Sequence, residues 1–320
     1  MKLIPPLELI RSDLESATSV LRDTMAQIEG PLGVEIRQSV NGGKCVRSAL
    51  VILVGKLFFS LPEPFYKLAA AIEVLHTATL IHDDLVDKAN TRRGRETLHT
   101  NWPMGVTVLA GDVLLAQTAA LVADLARPRI LSVFADTLCA MSAGEIKQLM
   151  TSGEGLSGRE DYYQRIGAKT ASLCAAATEM GGILAEADDT QIESLRRFGW
   201  ELGTAFQIVD DVLDFVGDEA RMGKPAGNDL QQGLVTLPVI CYLERGGDEA
   251  LIGDVLAGRR DESSVQAAVE AIRTSGGVEA AVAEARICME RACEALTRLP
   301  DNDARQMLLA LAEYVVERER

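Results

Sequence analysis

Apolar residues recur at steps of three and four along almost the whole chain, and runs of alternating polar and apolar residues are absent. This spacing places apolar side chains on one face of an α-helix. Helix-length segments are separated by short breaks such as Gly42-Gly43 and Arg127-Pro128, and nothing resembles an interdomain linker. The sequence therefore predicts an all-α fold, a helical bundle, as one domain over residues 1–320.

Composition narrows the classes of function. Hydrophobic residues make up 48% of the chain and aromatic residues only 4%, which suits closely packed helices rich in Ala and Leu. The formal net charge of −15 repels the phosphates of nucleic acids, so we expect no nucleic-acid partner. No uninterrupted apolar stretch of about twenty residues stands out, so no transmembrane segment is predicted.

The six cysteines are scattered without a Cys-x-x-Cys pair or metal-ligand spacing. This pattern indicates a reduced interior and a cytoplasmic location. Each thiol is expected to serve as a small packing residue.

A cluster of aspartates ends the first long helical stripe. Apolar positions from Phe65 through Ile72 continue at helical spacing through His76 to Asp83 and Asp87, in the local sequence Asp83-Asp84-Leu85-Val86-Asp87. A cationic segment with Arg92, Arg93 and Arg95 follows. Carboxylates on a face that packs into a helical core cost free energy unless they are paired or bind metal.

The same construction is repeated more than a hundred residues later. A stripe that includes Gly203 and Gln207 ends in Asp210-Asp211-Val212-Leu213-Asp214, and Lys224 lies in the following segment. A single cluster of this kind is usually a solvated helix end. Two copies, each followed by cations, favour an oxygen-ligand site for Mg²⁺ shared with substrate phosphates. Glycosidic acid–base chemistry by paired carboxylates is the alternative, but three carboxylates at helical spacing fit metals better.

Together these residues resemble the trans-isoprenyl (polyprenyl) diphosphate synthases, whose two aspartate-rich motifs correspond to the two clusters. The resemblance covers nearly the whole chain and also includes Gly144-Glu145, Lys169-Thr170 and Thr236-Leu237-Pro238. It implies a helical bundle around a deep central cavity, with the two motif helices facing each other across its mouth. It also implies three Mg²⁺ ions for each active site and a homodimer, with possible peripheral membrane contact through a lipid product.

The resemblance assigns roles to individual residues. Asp83, Asp87 and Asp210 are the expected direct metal ligands, and Asp84, Asp211 and Asp214 are expected to complete the clusters. Isopentenyl diphosphate is expected to contact Lys44, Arg47, His76 and Arg93. The allylic diphosphate is expected to contact Arg92, Lys169 and Lys224. Arginine and lysine form charge-assisted hydrogen bonds with phosphate oxygens, which fits these roles.

The implied reaction is a head-to-tail condensation. The allylic diphosphate ionises, the isopentenyl double bond attacks the carbocation, and loss of a proton restores an alkene, with pyrophosphate as the base by analogy. Thr170 and Gln207 are candidates for placing oxygen dipoles near the cation. The alternative is a role in structure alone. The cations would then be ordinary solvated loop side chains, and Thr170 and Gln207 would serve only in helix packing. Arg95, His82 and His99 receive no role.

Product length is expected to depend on the residues before the first cluster. In related enzymes bulky residues four and five places before the first aspartate form a floor, and here those places hold Thr79 and Ala78. The small side chains predict a product longer than farnesyl diphosphate and beyond geranylgeranyl diphosphate. A floor formed by Leu114, Leu115 or Thr118 is the alternative.

Two other functions remain open at this point. A class I terpene cyclase shares metal-triggered ionisation but usually replaces the second cluster with an Asn/Ser/Glu pattern. A non-catalytic partner subunit would have little use for two intact clusters. The chain also departs from the family pattern Gly-Gly-Lys-Arg-x-Arg-Pro, because Cys45 and Ser48, on either side of Val46 and Arg47, replace the expected arginine and proline. Leu234-Val235 stands where a lysine is common.

Overall fold

The computed structural model describes residues 5–40, 45–58, 62–92, 94–151, 156–217, 226–258 and 261–317. These residues are helical apart from short connections and one two-stranded antiparallel ladder, in which Thr91 pairs with Glu96 and Arg92 with Arg95. The all-α prediction is confirmed. Lys44, Arg93 and Lys224 lie outside the described residues.

The chain divides into two compact units. The first consists of Met1–Asp136, Ala176–Arg196 and Arg298–Leu311. Its elements up to residue 136 are a 3₁₀-helix (Pro5–Ile10), α1 (Arg11–Ala26), α2 (Gly30–Val40), α3 (Val46–Phe58), α4 (Glu63–Val86), β1 (Thr91–Arg92), β2 (Arg95–Glu96), α5 (Leu98–Asn101), α6 (Met104–Ala123) and the first turns of α7 (Pro128–Thr151).

The second unit consists of Thr137–Ala175, Arg197–Thr297 and Ala312–Arg320. Three further helices contribute residues to both units. The remaining elements of the chain are α8 (Arg159–Ile166), a π-helix (Gly167–Ala171), α9 (Ser172–Leu184), α10 (Asp189–Val216), α11 (Asn228–Gln231), α12 (Leu237–Glu244), α13 (Glu249–Leu256), α14 (Glu262–Thr274), α15 (Gly277–Leu296) and α16 (Asp303–Glu317). The single-domain expectation for residues 1–320 stays a prediction.

Helix α4 organises the core of the first unit. Its apolar face packs with residues of α1, α2, α5 and α6, and burial of each large aliphatic side chain contributes about 1.5–3 kcal/mol. The buried cluster consists of Leu21, Met25, Ile36, Ala70, Val74, Ala78, Ile81, Leu98, Ala110 and Leu114. This core fixes the C-terminal end of α4, where the first aspartate cluster lies.

The end of α4 has the hydrogen bonds of a Schellman motif. Lys88 adopts a left-handed conformation with φ +52°, its N–H bonds to the carbonyl of Leu85, and the N–H of Ala89 bonds to the carbonyl of Asp84. The helix therefore stops directly after Asp87, its C-cap residue.

Helix α6 is the one helix in the described ranges that is long and apolar enough to cross a membrane. An 18-residue window in it has a mean hydropathy of 1.8, and 33% of that window is buried. Asp112 and Gln117 interrupt its apolar residues, so no transmembrane segment was predicted there. Its exposed apolar side chains include Met104, Val108, Leu109 and Val113.

Candidate active site

The first aspartate cluster occupies the last turn of α4. Asp83 is half-buried and Asp87 is exposed, whereas Asp84 points into the protein and is only 8% exposed. Asp83 and Asp87 are one helical turn apart, so their carboxylates lie on the same side of the helix. The cluster therefore separates into two accessible carboxylates and one buried carboxylate.

Arg92 is held beside this cluster by a hydrogen bond to the buried carboxylate of Asp84. The β1–β2 ladder carries Arg92 back towards α4, where its Nε donates a hydrogen bond of 2.7 Å to Oδ1 of Asp84. Burial raises the pKa of the Asp84 carboxyl, and the Arg92 guanidinium partly offsets that rise. The structure thus places a predicted phosphate-binding arginine beside the first cluster.

Arg47 lies at the start of α3 and has an unusual environment. Its Nε is buried and has no hydrogen-bond partner among the described residues. A buried donor without an acceptor costs about 1–3 kcal/mol, so the position suits an anion that arrives with substrate. His76, the other described candidate for isopentenyl diphosphate, is half-buried on α4.

The second aspartate cluster lies near the end of α10. Asp210 is half-buried, while Asp211 is 4% exposed and Asp214 is 8% exposed. Both oxygens of Asp211 accept hydrogen bonds, at 2.7 Å from the Tyr162 hydroxyl and at 2.9 Å from Nε2 of Gln207. Burial and the neighbouring charge of Asp229 nevertheless raise the pKa of Asp211 to about 7.

Asp214 anchors the segment that follows the cluster. Its Oδ2 accepts a hydrogen bond from the N–H of Asp229 at 3.1 Å, and its carbonyl accepts one from the N–H of Gly227 at 2.9 Å. Gly227 has φ +73°, a conformation that glycine adopts without steric cost. Asp214 therefore helps to hold α11, the short helix that begins at Asn228, against the second cluster.

Lys169 and Thr170 lie in the π-helix. The N–H of Ser172 bonds to the carbonyl of Gly167, five residues earlier, as in a π-helical turn. Nζ of Lys169 donates a hydrogen bond of 2.9 Å to Oε2 of Glu145, and the Thr170 hydroxyl donates one of 2.7 Å to Oε1 of Gln207. Thr170 and Gln207 are thus brought together, and Gln207 joins them to Asp211.

Gly203 allows close approach of α10 to the π-helix. A Cβ atom at Gly203 would lie 2.7 Å from the Cα of Ala171. Helix α7 also packs closely against the π-helix, because a Cβ at Gly144 would lie 2.5 Å from the Cβ of Ala168. These contacts fix the positions of Lys169 and Thr170 within the second unit.

Two residues of this site carried no role in the sequence analysis. Tyr162 is fully buried and bonds to Asp211, and Glu145 pairs with Lys169 while its Oε1 is buried without a partner in the described part of the chain. Glu145 could have been found from the Gly144-Glu145 pair that carries part of the family resemblance. Tyr162 has no local sequence signal, because its role depends on a contact 49 residues away.

The described residues include no group of three or more His, Cys, Asp or Glu side chains that could hold a metal ion. The two aspartate clusters nevertheless contain oxygen donors, and a Mg²⁺ ion usually takes one or two carboxylates together with substrate phosphates and waters. The carboxylate donors have the required chemistry, and Asp83, Asp87 and Asp210 are the less buried members of their clusters. The buried Nε of Arg47 supplies a further reason to expect an anion at the site.

The residues expected to limit product length lie on α4. Ala78 has no exposed surface and belongs to the core cluster with Ala110 and Leu114 of α6, whereas Thr79 is half-buried. Leu115 packs against that cluster, and Thr118 is buried. The structure therefore gathers Ala78 with Leu114 and Leu115, two of the alternative floor residues, where α4 and α6 pack together.

The three residues without an assigned role have structural partners. A ring nitrogen of His82 lies 3.1 Å from the carbonyl of Val108, and one of His99 lies 3.1 Å from the Thr97 hydroxyl. Arg95 donates a hydrogen bond of 3.0 Å to the carbonyl of Gln38.

The thiols of Cys241 and Cys288 are buried, and burial raises their pKa values to about 11 and about 12. Both side chains are therefore neutral near pH 7, as packing residues would be.

An open apolar pocket of about 460 Å³ lies on the second unit. Its lining includes Ala140, Tyr163, Gly167 and Trp200 and no predicted site residue. We therefore do not assign the chemistry to it.

The candidate site residues all lie within a region that is similar to known proteins. The polyprenyl synthetase family model matches residues 33–274. Heptaprenyl diphosphate synthase component 2 of Geobacillus stearothermophilus is 35% identical over 320 residues, which cover 100% of each chain.

Two solved structures are also similar to this chain. A polyprenyl synthase of Caulobacter crescentus, complexed with calcium and isoprenyl diphosphate, has a TM-score of 0.91 and 35% identity, covering 98% of this chain and 97% of that one. A decaprenyl diphosphate synthase of Rhodobacter capsulatus has a TM-score of 0.90 and 35% identity, covering 98% of each chain.

Proposed function

The chain belongs to the polyprenyl synthetase family, and we propose that its two aspartate clusters hold Mg²⁺ and substrate diphosphate during chain elongation. The enzyme is a prenyltransferase that condenses isopentenyl diphosphate head-to-tail with an allylic diphosphate and releases pyrophosphate. The observation that carries the proposal is the difference in burial within each cluster. Buried Asp84 and Asp211 are hydrogen-bonded to protein groups, while Asp83, Asp87 and Asp210 are the less buried carboxylates.

Asp83, Asp87 and Asp210 are the proposed direct metal ligands. Bound Mg²⁺ would neutralise the charge that develops on the departing pyrophosphate. Asp84 holds Arg92 by the 2.7 Å hydrogen bond, so the guanidinium is oriented before an allylic diphosphate binds. Lys169 is similarly held by Glu145 and supplies a second cation. Three ions per site is the number that the family resemblance favours.

Thr170 and Gln207 are proposed to face the carbocation. The Thr170 hydroxyl donates its hydrogen bond to Oε1 of Gln207, so the lone pairs of the hydroxyl oxygen remain for other contacts. The amide nitrogen of Gln207 donates a hydrogen bond to Asp211, and this bond fixes the orientation of the amide. Two oxygen dipoles are thus oriented in advance, which stabilises a developing cation without solvent reorganisation.

The product is proposed to be a linear polyprenyl diphosphate longer than geranylgeranyl diphosphate. The heptaprenyl and decaprenyl names of the similar proteins support this length. The small side chain of Ala78 and the half-buried Thr79 also support it, since neither fills space as an aromatic residue would.

A homodimer is proposed through the exposed face of α6. Met104 and Val108 are one helical turn apart, as are Leu109 and Val113, and these four exposed apolar side chains lie on the first unit. Exposed apolar patches of this kind mark interaction surfaces. Sedimentation analysis should give a dimer for the wild type and a monomer for Leu109→Asp.

One assay tests the proposed function. Purified protein with Mg²⁺, isopentenyl diphosphate and an allylic primer should release pyrophosphate and yield elongated linear prenyl diphosphates. Cyclic hydrocarbon formed without isopentenyl diphosphate would identify a terpene cyclase instead. The relative from G. stearothermophilus is named as one component of its enzyme. Turnover that appears only after addition of another subunit would therefore identify a partner subunit.

A further inference from the structure

Ser48 departs from the proline that is usual in the family pattern, and its backbone N–H therefore needs an acceptor. Helix α3 begins at Val46, and the N–H of Ala49 already bonds to the carbonyl of Cys45. The N–H of Ser48 is one of the first four of the helix, which have no partner within the helix itself. Ser48 is only 4% exposed, so water does not readily satisfy it.

Glu73 of α4 supplies the acceptor. Its Oε1 receives the hydrogen bond from the N–H of Ser48 at 3.1 Å. The Ser48 hydroxyl donates a second bond, of 3.0 Å, to the carbonyl of Ala69, one turn earlier on α4. Two bonds one turn apart thus attach the first turn of α3 to α4.

This attachment is adjacent in sequence to the two described candidates for isopentenyl diphosphate binding. Arg47 directly precedes Ser48 on α3. His76 follows Glu73 by three residues, so Glu73 and His76 lie on the same side of α4. The Nε of Arg47 is buried and has no partner in the part of the chain that the structure describes. The position of that guanidinium therefore depends on how the first turn of α3 is held.

We propose that Glu73 is a positioning residue for Arg47, acting through the N–H of Ser48, and thereby sets the affinity for isopentenyl diphosphate. This inference rests on the proposed role of Arg47. Glu73 itself need not touch substrate. A proline at position 48 would fix the backbone and would have no N–H that needs an acceptor. In this chain the hydrogen bond from Ser48 to the Glu73 carboxylate holds the backbone instead.

The test is a double-mutant cycle between Glu73 and position 48. Glu73→Ala leaves the buried N–H of Ser48 without an acceptor, and we expect the dissociation constant for isopentenyl diphosphate to rise about tenfold, with the KM for the allylic primer changing less than about twofold. Glu73→Gln keeps an oxygen acceptor and should restore most of the affinity. In a Ser48→Pro background no N–H remains, so adding Glu73→Ala should change the affinity less than about twofold.

Tyr66→Phe is the matched control. Tyr66 also joins α4 to another helix by a side-chain hydrogen bond, of 2.9 Å to Asp13, but it lies at the other end of α4 from Asp83. We expect it to leave isopentenyl diphosphate binding unchanged. Calorimetric titration measures that binding independently of turnover.

Several results would overturn the inference. An equal loss of affinity for both substrates on Glu73→Ala would assign Glu73 to general stability. An undiminished effect of Glu73→Ala in the Ser48→Pro background, or failure of that double variant to fold, would do the same. Arg47→Ala separates this inference from the proposed function. If Arg47→Ala weakens binding and Glu73→Ala does not, only the role of Glu73 fails, whereas no effect of Arg47→Ala removes the role of Arg47 and the inference with it.

Discussion

Tyr162 donates a hydrogen bond of 2.7 Å to Oδ2 of Asp211, and both residues are buried. Tyr162→Phe would keep the ring packing but leave a buried carboxylate oxygen without its donor. A hydrogen bond to a charged group contributes about 1.5–3 kcal/mol, so above about pH 8, where Asp211 with its pKa of about 7 is ionised, we expect the free energy of unfolding to fall by about that amount. Metal binding should weaken as well, because Asp211 is adjacent to Asp210. Denaturant unfolding and Mn²⁺ titration monitored by electron paramagnetic resonance measure the two effects.

Tyr314→Phe provides the control for that experiment, since Tyr314 is a half-buried tyrosine on α16, outside both clusters. It should leave the Mn²⁺ affinity unchanged. Wild-type Mn²⁺ affinity in a folded Tyr162→Phe variant would show that the hydrogen bond does not orient the second cluster.

Removal of a proposed metal ligand should abolish most turnover while the fold persists. For Asp83→Ala and Asp210→Ala we expect kcat to fall on the order of 100- to 1,000-fold, because stabilisation of the departing pyrophosphate is lost. Loss of one carboxylate also relieves repulsion within its cluster, so helicity by circular dichroism should be preserved. Asp124→Ala, an exposed acid at the end of α6, is the control and should retain full turnover. Unfolding of the cluster variants, with normal kcat in any folded fraction, would assign these aspartates to structure.

Ala78→Phe should shorten the product without abolishing the first condensation. The added ring enters the packed α4–α6 contact near Ala110 and Leu114, and overpacking of this kind typically costs about 1–3 kcal/mol of stability. Chain-length analysis at fixed substrate ratios, at a temperature where the variant is folded, measures the effect. An unchanged length distribution would shift attention to Leu115 and Thr118 on α6.

Stability should respond to pH through Glu179. Burial raises the pKa of Glu179 above 4.5, and Arg196 only partly offsets the rise. A carboxyl whose folded pKa is raised destabilises the fold as pH rises from 4.5 through the folded pKa. Glu179→Gln should therefore increase the thermal midpoint at pH 7.5 more than at pH 4.

Glu193 supplies the opposite case for comparison. Its hydrogen bond with Arg196 lowers its pKa, so its favourable contribution is present above pH 4.5 and is lost as pH falls through the folded pKa. Glu193→Gln should lower the thermal midpoint at pH 7.5 slightly and have less effect in acid. Equal pH profiles for the two variants would contradict these assignments.

Helical periodicity was sufficient to predict the all-α fold and the helix that carries the first cluster. That helix was predicted over Phe65–Asp87, and the structure has it at Glu63–Val86 with Asp87 as its C-cap. The clusters were equally visible, because three aspartates at helical spacing are a local pattern. The β1–β2 ladder was missed, since each strand has only two residues and no alternating pattern can develop.

The partners of the site residues could not be predicted from local patterns. Arg92 with Asp84, Lys169 with Glu145 and Tyr162 with Asp211 each join different elements, and no spacing rule identifies such pairs. The left-handed residue after α4 and the π-helix were not predicted either. Lys88 adopts φ +52° although lysine has no preference for that region, and nothing in the composition of Gly167–Ala171 distinguishes a π-helix from an α-helix.

The π-helix has a consequence for which insertions and deletions this chain tolerates. A π-helical turn contains one residue more than the α-helical turn it replaces, so deleting one residue from Gly167–Ala171 would allow α8 and α9 to continue as a regular α-helix. The flanking helices would keep about the same relative orientation, because the extra residue is accommodated within the turn itself. Lys169 and Thr170 lie inside that turn, so the deletion would change the direction of their side chains and disrupt the hydrogen bond from Thr170 to Gln207. The length of this one turn is therefore under the same constraint as the identity of the site residues.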